Sequence, residues 1–415
     1  MLDLILKNVT LPQGGRTDIS VKKGMVNHAG ASGRAHETID CTTMICLPGG
    51  VDMHVHMRDG VQSQKETWKS GSMSALAGGV TVVVDQPNTD PPLLTPERYR
   101  ARVEEAMRAS CCHFAINAGA VLGTDLEALW RAGAMAFGEI FTSPSTSSEP
   151  VPYRQLIGIL QNIGNLGATA TLHAEAAPDR PALSLEEHDI LRSIDRETEL
   201  VRSIERSVKE VRLHFCHLSA PHAIDTALSS FEVTPHHLFL SLEHFDGNDA
   251  RGKVNPPLRK EIVRRELWSR WDHIPVIASD HAPHTMSEKQ TSFDKAPAGI
   301  PGVETMLPLL VYSALKGDIT LSSIAEKTSY TPARILGIPL SGFSKGCRAD
   351  FILFRPEVTV INAEHLHSRC GWTPFEGMQG IFPDSVIMDG IRVYDQGEFL
   401  EQRGRWYAGR GYIPS

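Results

Sequence analysis

At 415 residues the chain can bury a large core, and 41 Lys and Arg against 49 Asp and Glu leave a net charge of −8. With no basic cluster set against that charge, a nucleic-acid surface is not expected. No apolar run approaches the length of a membrane span and no basic-then-apolar leader opens the chain, so neither a membrane partner nor export is expected.

Residues 2–6 and 37–46 read as short strands separated by Gly-rich turns. The middle then alternates apolar runs with helical stretches. Strands are predicted over 50–56, 80–85, 113–118, 135–141, 168–173, 212–217, 231–234 and 275–279, with helices over 95–108, 153–162, 187–208 and 220–229. Eight strands, each followed by a helical or looped stretch, predict a (β/α)8 TIM-type barrel, an α/β fold. From about Lys345 the tail returns to strand-like runs, Ala349–Phe354 and Ser385–Gly390. The expected organisation is therefore a barrel over 48–344 and a small β-sandwich built from both termini, 1–47 and 345–415. Seven scattered cysteines, an odd number, suit reduced thiols in a cytoplasmic protein better than a disulfide framework.

In such barrels chemistry sits at the C-terminal ends of the strands. The first strand runs Val51-Asp52-Met53-His54-Val55-His56-Met57-Arg58. Residues two apart share a face, so His54, His56 and Arg58 leave on one side with Asp52 in phase behind them. Two imidazoles at that spacing can chelate a metal, and an Arg beyond them can hold an anion. The second strand leads to Asn88, the fourth contains Glu139, the fifth ends at His173, the sixth at His217, and the eighth runs into Asp280 and His284. Taken singly, a strand-end His caps or hydrogen-bonds more often than it binds metal. Jointly, four histidines and two carboxylates at one mouth form the donor set that a pair of zinc ions takes.

The ordered motifs resemble the amidohydrolase superfamily and, within it, the cyclic amidases, with the dihydroorotase family nearest. They are Asp52–Asp59, Gln86-Pro87-Asn88-Thr89, His173-Ala174-Glu175, Cys216-His217-Leu218-Ser219, Thr234-Pro235-His236-His237, Val254–Arg259, Ser279–His284, Gly299–Thr305 and Thr373–Gly377. The resemblance implies His54, His56, His173, His217 and Asp280 as ligands of one or two Zn2+ per subunit, with Asp280 also the general base and acid. It implies Arg58, Asn88 and His284 on the substrate's carboxylate, and Asn255, Gly299, Pro301 and Gly302 beside the ring. Asn88 also suits a turn after Pro87, and His284 also suits a capping or packing role. His236 and His237 read as structural or as supports to the ligands. The implied reaction is reversible hydrolysis of (S)-dihydroorotate to N-carbamoyl-L-aspartate, in pyrimidine (UMP) synthesis. The only partner expected is that small-molecule substrate, and a homo-oligomer is compatible with the sequence.

One position departs from the family. Many of its members carry on the fourth strand a Lys that becomes a metal-bridging carbamate, and here Glu139 stands with no Lys over 132–149. Glu139 keeps the charge and both oxygens of a carbamate but is shorter by about three bonds of roughly 1.5 Å. Glu139 is expected as a ligand, with bridging left open. The alternatives are a hydantoinase- or allantoinase-type enzyme on the same fold, and an inactive scaffold relative. The polar 285–298 stretch shows no obvious element and is expected to be a lid.

Overall fold

The computed structural model describes residues 1–29, 33–144, 150–176, 178–400 and 403–414. Eight short parallel strands lie at its centre: β1 Gly50–Val55, β2 Val80–Asp85, β3 His113–Ile116, β4 Phe137–Phe141, β5 Thr169–His173, β6 Arg212–Phe215, β7 Ser230–Val233 and β8 Val276–Ile277. β1 to β3 hydrogen-bond in one group and β4 to β8 in another. Parallel bridges from Ala118 to Phe137 and from Val55 to His281 join the two groups into a ring. The barrel follows the predicted strand order throughout.

Local chemistry explains the helices around it. The helix Pro96–Ala109 starts on Thr95, whose hydroxyl accepts from Arg98 N, with Pro96 at a position where no N–H is needed. Trp68–Ala77 starts on a capping box between Thr67 and Ser70. The stretch predicted as one helix over 187–208 is two, Leu185–Leu191 and Ile194–Ser207. Ser193 caps the second helix, and the carbonyl of Arg192 is taken by Arg259 Nη1 at 2.6 Å. That break points Arg192 and His188 at the barrel mouth.

Strands from both ends of the chain form one nine-stranded sheet. Leu2–Thr10 pairs with Arg16–Lys22 and Ala35–Asp40, while Ile45–Pro48 pairs with Phe351–Phe354 from the tail. Leu4, Leu6, Val21, Phe351 and Ile387 share its buried core. Gly49 joins sheet to barrel, and a Cβ there would lie 2.8 Å from Asp350 Cβ, so only glycine allows that approach. The tail then returns to the barrel, where Phe114 N donates to Arg405 O at 2.9 Å and Tyr407 N to Phe114 O at 2.8 Å. Among the described residues no helix is long and apolar enough to cross a membrane.

Candidate metal centre and substrate cleft

The C-terminal ends of the strands bring His54, His56, Glu139, His173, His217 and Asp280 together, all buried. Glu139 stands in the middle. Its Oε1 lies 2.8 Å from His173 Nδ1 and 2.7 Å from His217 Nε2. Its Oε2 lies 3.4 Å from His54 Nε2 and 4.0 Å from His56 Nε2. Asp280 Oδ1 closes the second group, 3.5 Å from His54 Nε2 and 3.2 Å from His56 Nε2. One carboxylate thus offers one oxygen to each pair of imidazoles.

Support behind three of the four rings decides which nitrogen faces inward; His217 Nδ1 is buried with no partner. His54 Nδ1 lies 2.5 Å from Glu232 Oε1, and His56 Nδ1 lies 2.7 Å from Asn88 Oδ1. A carboxylate or amide oxygen only accepts, so each Nδ1 carries the proton and each Nε2 keeps its lone pair. His54 Nε2 is buried with no hydrogen-bond partner, an atom placed for a cation. His173 is reversed: Nε2 faces Glu175 Oε2 at 3.3 Å and leaves Nδ1 on Glu139. Arg192 Nε holds Glu175 in turn, at 3.1 Å. The donor set of four nitrogens and two carboxylates fits a divalent metal.

The short side chain of Glu139 reaches the axis through the backbone. Ala170 pairs with Phe137 and Leu172 with Ile140, so Gly138 and Glu139 stand opposite Thr171 alone. This extra residue is a β-bulge, which turns a side chain away from the ladder's direction. Gly138 has φ 126°, and a Cβ there would strike the carbonyl oxygen of Thr171. Glycine is what lets the strand come so close.

The field explains the proton affinities. Burial raises the carboxyl of Asp280, but His54, His56 and His217 outweigh it and hold it well below the usual carboxylate range. Glu139 follows the same pattern, with burial overcome by His54, His173 and His217. Burial disfavours protonated His173, yet Glu139 and Glu175 raise it to about 9. Both carboxylates are thus held ionised while His173 holds its proton more tightly than usual, the pattern of two buried negative charges that a cation would balance. Among the described residues no Lys or Arg lies within 4 Å of Glu139 or Asp280 to balance them.

Above the cluster opens a cleft with about 390 Å³ of empty space, lined among others by Arg58, Asn88, Phe141, Asn255, Asp280 and Gly299. Arg58 has φ 49° and Met57 N is fixed 2.8 Å from Asp85 Oδ1, which turns the Arg58 side chain inward. Among the described residues its guanidinium has no carboxylate within 4 Å, and its buried Nε has no partner. Burial lowers its pKa to about 10, so it stays charged at neutral pH. Asn88 is on the cleft, but its oxygen is spent on His56, leaving its amide NH2. Asn255 Oδ1 accepts from His188 Nε2 at 3.0 Å.

Three residues expected at the substrate are elsewhere. His284 is fully buried behind the cleft wall, with Nε2 3.0 Å from Ala298 O and Nδ1 3.2 Å from Lys65 Nζ. Both ring nitrogens are taken. Pro301 and Gly302 line a separate small pocket with Ser74, Glu304 and Trp372, and Gly302 N donates to His281 Nδ1 at 3.2 Å. Their register, continuing past β8, carries them behind His281. His237 is structural, with Nε2 3.1 Å from Pro256 O. The 285–298 segment is packed: Phe293 and Ala296 are buried, and Lys253 Nζ binds their carbonyls at 2.6 and 2.7 Å. Residues missed by sequence reasoning include Glu232, His214 and Lys65. Glu232 had a signal, a charged residue between Phe231 and Val233 in a buried strand; Lys65 had none.

A family model described as "Amidohydrolase family" matches residues 45–390. The chain belongs to the amidohydrolase family. Full-length relatives agree: a dihydroorotase of Methanosarcina acetivorans is 35% identical, covering 98% of this chain and 97% of the relative. A dihydroorotase of Archaeoglobus fulgidus is 36% identical, covering 86% and 90%. Among solved structures, the L-hydantoinase (dihydropyrimidinase) from Arthrobacter aurescens superposes with TM-score 0.91 at 25% identity, covering 98% of this chain and 100% of that one. The dihydropyrimidinase from Brevibacillus agri, at 22% identity and TM-score 0.88 over 100% of both chains, shares the fold. As an amidohydrolase the protein is a hydrolase that works on a small molecule with a divalent metal, and its six converging donors are the group that fits one.

Proposed function

We propose that this amidohydrolase reversibly hydrolyses the six-membered ring of (S)-dihydroorotate to N-carbamoyl-L-aspartate in pyrimidine (UMP) synthesis. The observation that carries this reading is the unpaired, buried Arg58 guanidinium opening onto the same cleft as the metal cluster. A neutral cyclic amide has no use for it, whereas a ring bearing a carboxylate matches its planar fork. The full-length dihydroorotase relatives support the same substrate. Seven cysteines, all unpaired, support a cytoplasmic location.

His54, His56, Glu139, His173, His217 and Asp280 would hold one or two Zn2+, with Glu139 offering one oxygen towards each pair of imidazoles; nitrogen and oxygen donors suit zinc. Metal there supplies polarisation of the ring carbonyl and a water that ionises near neutral pH. Arg58 anchors the carboxylate, and the amide NH2 of Asn88 adds a neutral donor beside it. This fixes the ring so that its scissile carbonyl lies over Asp280, the positioning part of the rate. Asp280 takes the proton from the attacking water and delivers it to the ring nitrogen as the C–N bond breaks. In the synthetic direction the same carboxyl starts protonated, so condensation gains on hydrolysis as pH falls.

The test is turnover of dihydroorotate and of N-carbamoyl-aspartate by purified protein supplied with zinc. Conversion in both directions is expected. Turnover of hydantoin or dihydrouracil alone would make the enzyme hydantoinase-like, and no turnover of any ring would leave a scaffold.

A further inference from the structure

We propose that Lys65 is a positioning residue: by fixing which nitrogen of His284 carries the proton, it keeps the Arg58 guanidinium free for the substrate's anion. This rests on the reading of an anionic substrate given above.

Lys65 lies in the loop after β1, and its Nζ sits 3.2 Å from His284 Nδ1 and 2.9 Å from Glu288 Oε1. An ammonium has donors and no acceptor, so His284 Nδ1 must offer its lone pair. Burial, with the nearby cations Arg58, Lys65 and Lys289, keeps the ring of His284 neutral. Its single proton is then on Nε2, where Ala298 O accepts it at 3.0 Å.

The consequence falls on Arg58. Its Nη2 lies 3.5 Å from the same Nε2. A guanidinium also only donates, so two donors face each other and no bond forms. In the opposite tautomer, Nε2 would carry a lone pair aimed at Arg58, His284 would accept from it, and Ala298 O would lose its donor. The group meant for the carboxylate would be partly spent on a histidine. Lys65 on one nitrogen and Ala298 O on the other together exclude that state. Lys65 acts without touching the ligand, since it does not line the cleft. Nor does it act mainly as an extra positive charge, because Glu288 neutralises it within hydrogen-bond distance.

Two flat, non-hydrolysable rings separate the ideas: orotate carries the carboxylate, and uracil is the same ring without it. Calorimetric binding to the zinc-loaded enzyme is expected to favour orotate over uracil. Lys65→Met is expected to weaken orotate about tenfold, the order of one charge-assisted hydrogen bond, and to leave uracil unchanged. Lys65→Arg, which still donates, is expected to recover most of the loss. With dihydroorotate as substrate, Lys65→Met should raise KM with little change in kcat. Unchanged orotate affinity, or equal weakening of both rings, would overturn the role of Lys65. A wild-type enzyme with no preference for orotate would instead overturn the anionic substrate itself. A readout on unaltered Lys65 uses 15N-histidine-labelled enzyme, with His284→Gln for assignment. A neutral ring protonated on Nε2 is expected, and one protonated on Nδ1 would overturn the proposal.

Discussion

Two buried clusters of histidine and carboxylate occupy opposite ends of the barrel. At the mouth, His54, His56, Glu139, His173, His217 and Asp280 converge; at the N-terminal end of β3, ligand atoms of His113, Asp350 and Asp389 lie within 4.8 Å of one another. Residue type does not distinguish them. Charge balance does. At the base, Arg348 Nη2 lies 2.6 Å from Asp350 Oδ2 and Arg405 Nη2 lies 2.6 Å from Asp389 Oδ2. His113 Nδ1 accepts from Arg405 N at 3.0 Å, which puts its proton on Nε2, facing Asp389 Oδ2 at 3.5 Å. The imidazole has no lone pair left for a cation, each carboxylate faces a guanidinium, and the cluster is a clasp holding sheet, tail and barrel together. At the mouth, among the described residues, no Lys or Arg lies within 4 Å of Glu139 or Asp280, and the Nε2 atoms of His54 and His56 keep inward lone pairs.

The comparison breaks most sharply at the mouth carboxylates. Asp280→Asn is expected to lower turnover on the order of a thousandfold, the scale of losing a positioned proton carrier, while the fold survives. Glu139→Gln is expected to abolish turnover as well, but with loss of bound metal, because the two histidine pairs no longer share a charge. Activity together with metal analysis separates the two variants. Metal retained in full by Glu139→Gln would remove Glu139 as the bridge.

These two residues also mark what the sequence makes legible. Asp280 sits in a run, Ser279–His284, where the end of a strand and a dense set of polar residues coincide, and the period-two spacing of His54 and His56 directly sets their common face. The barrel order was readable for the same reason, since buried parallel strands are apolar runs of fixed length. Glu139 was readable as a position but not as a geometry. Its reach depends on a bulge made possible by Gly138 packing on Thr171, a contact between strands that no local pattern encodes. Likewise, Pro301 and Gly302 share a motif with Gly299, yet a turn of the chain puts only Gly299 on the cleft. His284 was legible as polar, and its burial against Lys65, 219 residues away in sequence, was not.

Removing metal by chelation is the next largest effect. The mouth should lose stability because its negative charge is uncompensated, and the base should not respond. A lower thermal midpoint for chelated wild type, restored by zinc, is expected. An unchanged midpoint would mean that protons replace the metal at no cost. Smaller again is Glu232→Gln. Glu232 receives His54 Nδ1 on one oxygen and His214 Nε2 on the other, at 2.5 and 3.1 Å. Loss of such support weakens metal binding by roughly 10- to 100-fold, measurable by competition with a chromophoric chelator. Wild-type affinity in this variant would show that packing alone orients His54.

The smallest effect sharpens the comparison from the base. Burial, with Arg348 and Arg405, lowers the pKa of His113 to about 3, against 6.5 in an unfolded chain. Above pH 6.5 neither state binds the proton. Between 6.5 and 3 the unfolded chain binds it and the folded protein does not, so stability is lost as pH falls below 6.5, by up to ~1.4 kcal/mol per pH unit for this one group. His188, also lowered to about 3 chiefly by burial, adds a second proton with the same sign. Urea unfolding of the zinc-loaded enzyme at pH 7, 6 and 5 should therefore show a slope that His113→Gln makes shallower by about one proton. Metal release contributes equally to both proteins and cancels in the difference. An unchanged slope would mean that His113 is protonated in the folded state and paired with Asp389, which would make the base cluster a true ion pair and not a clasp around a neutral ring.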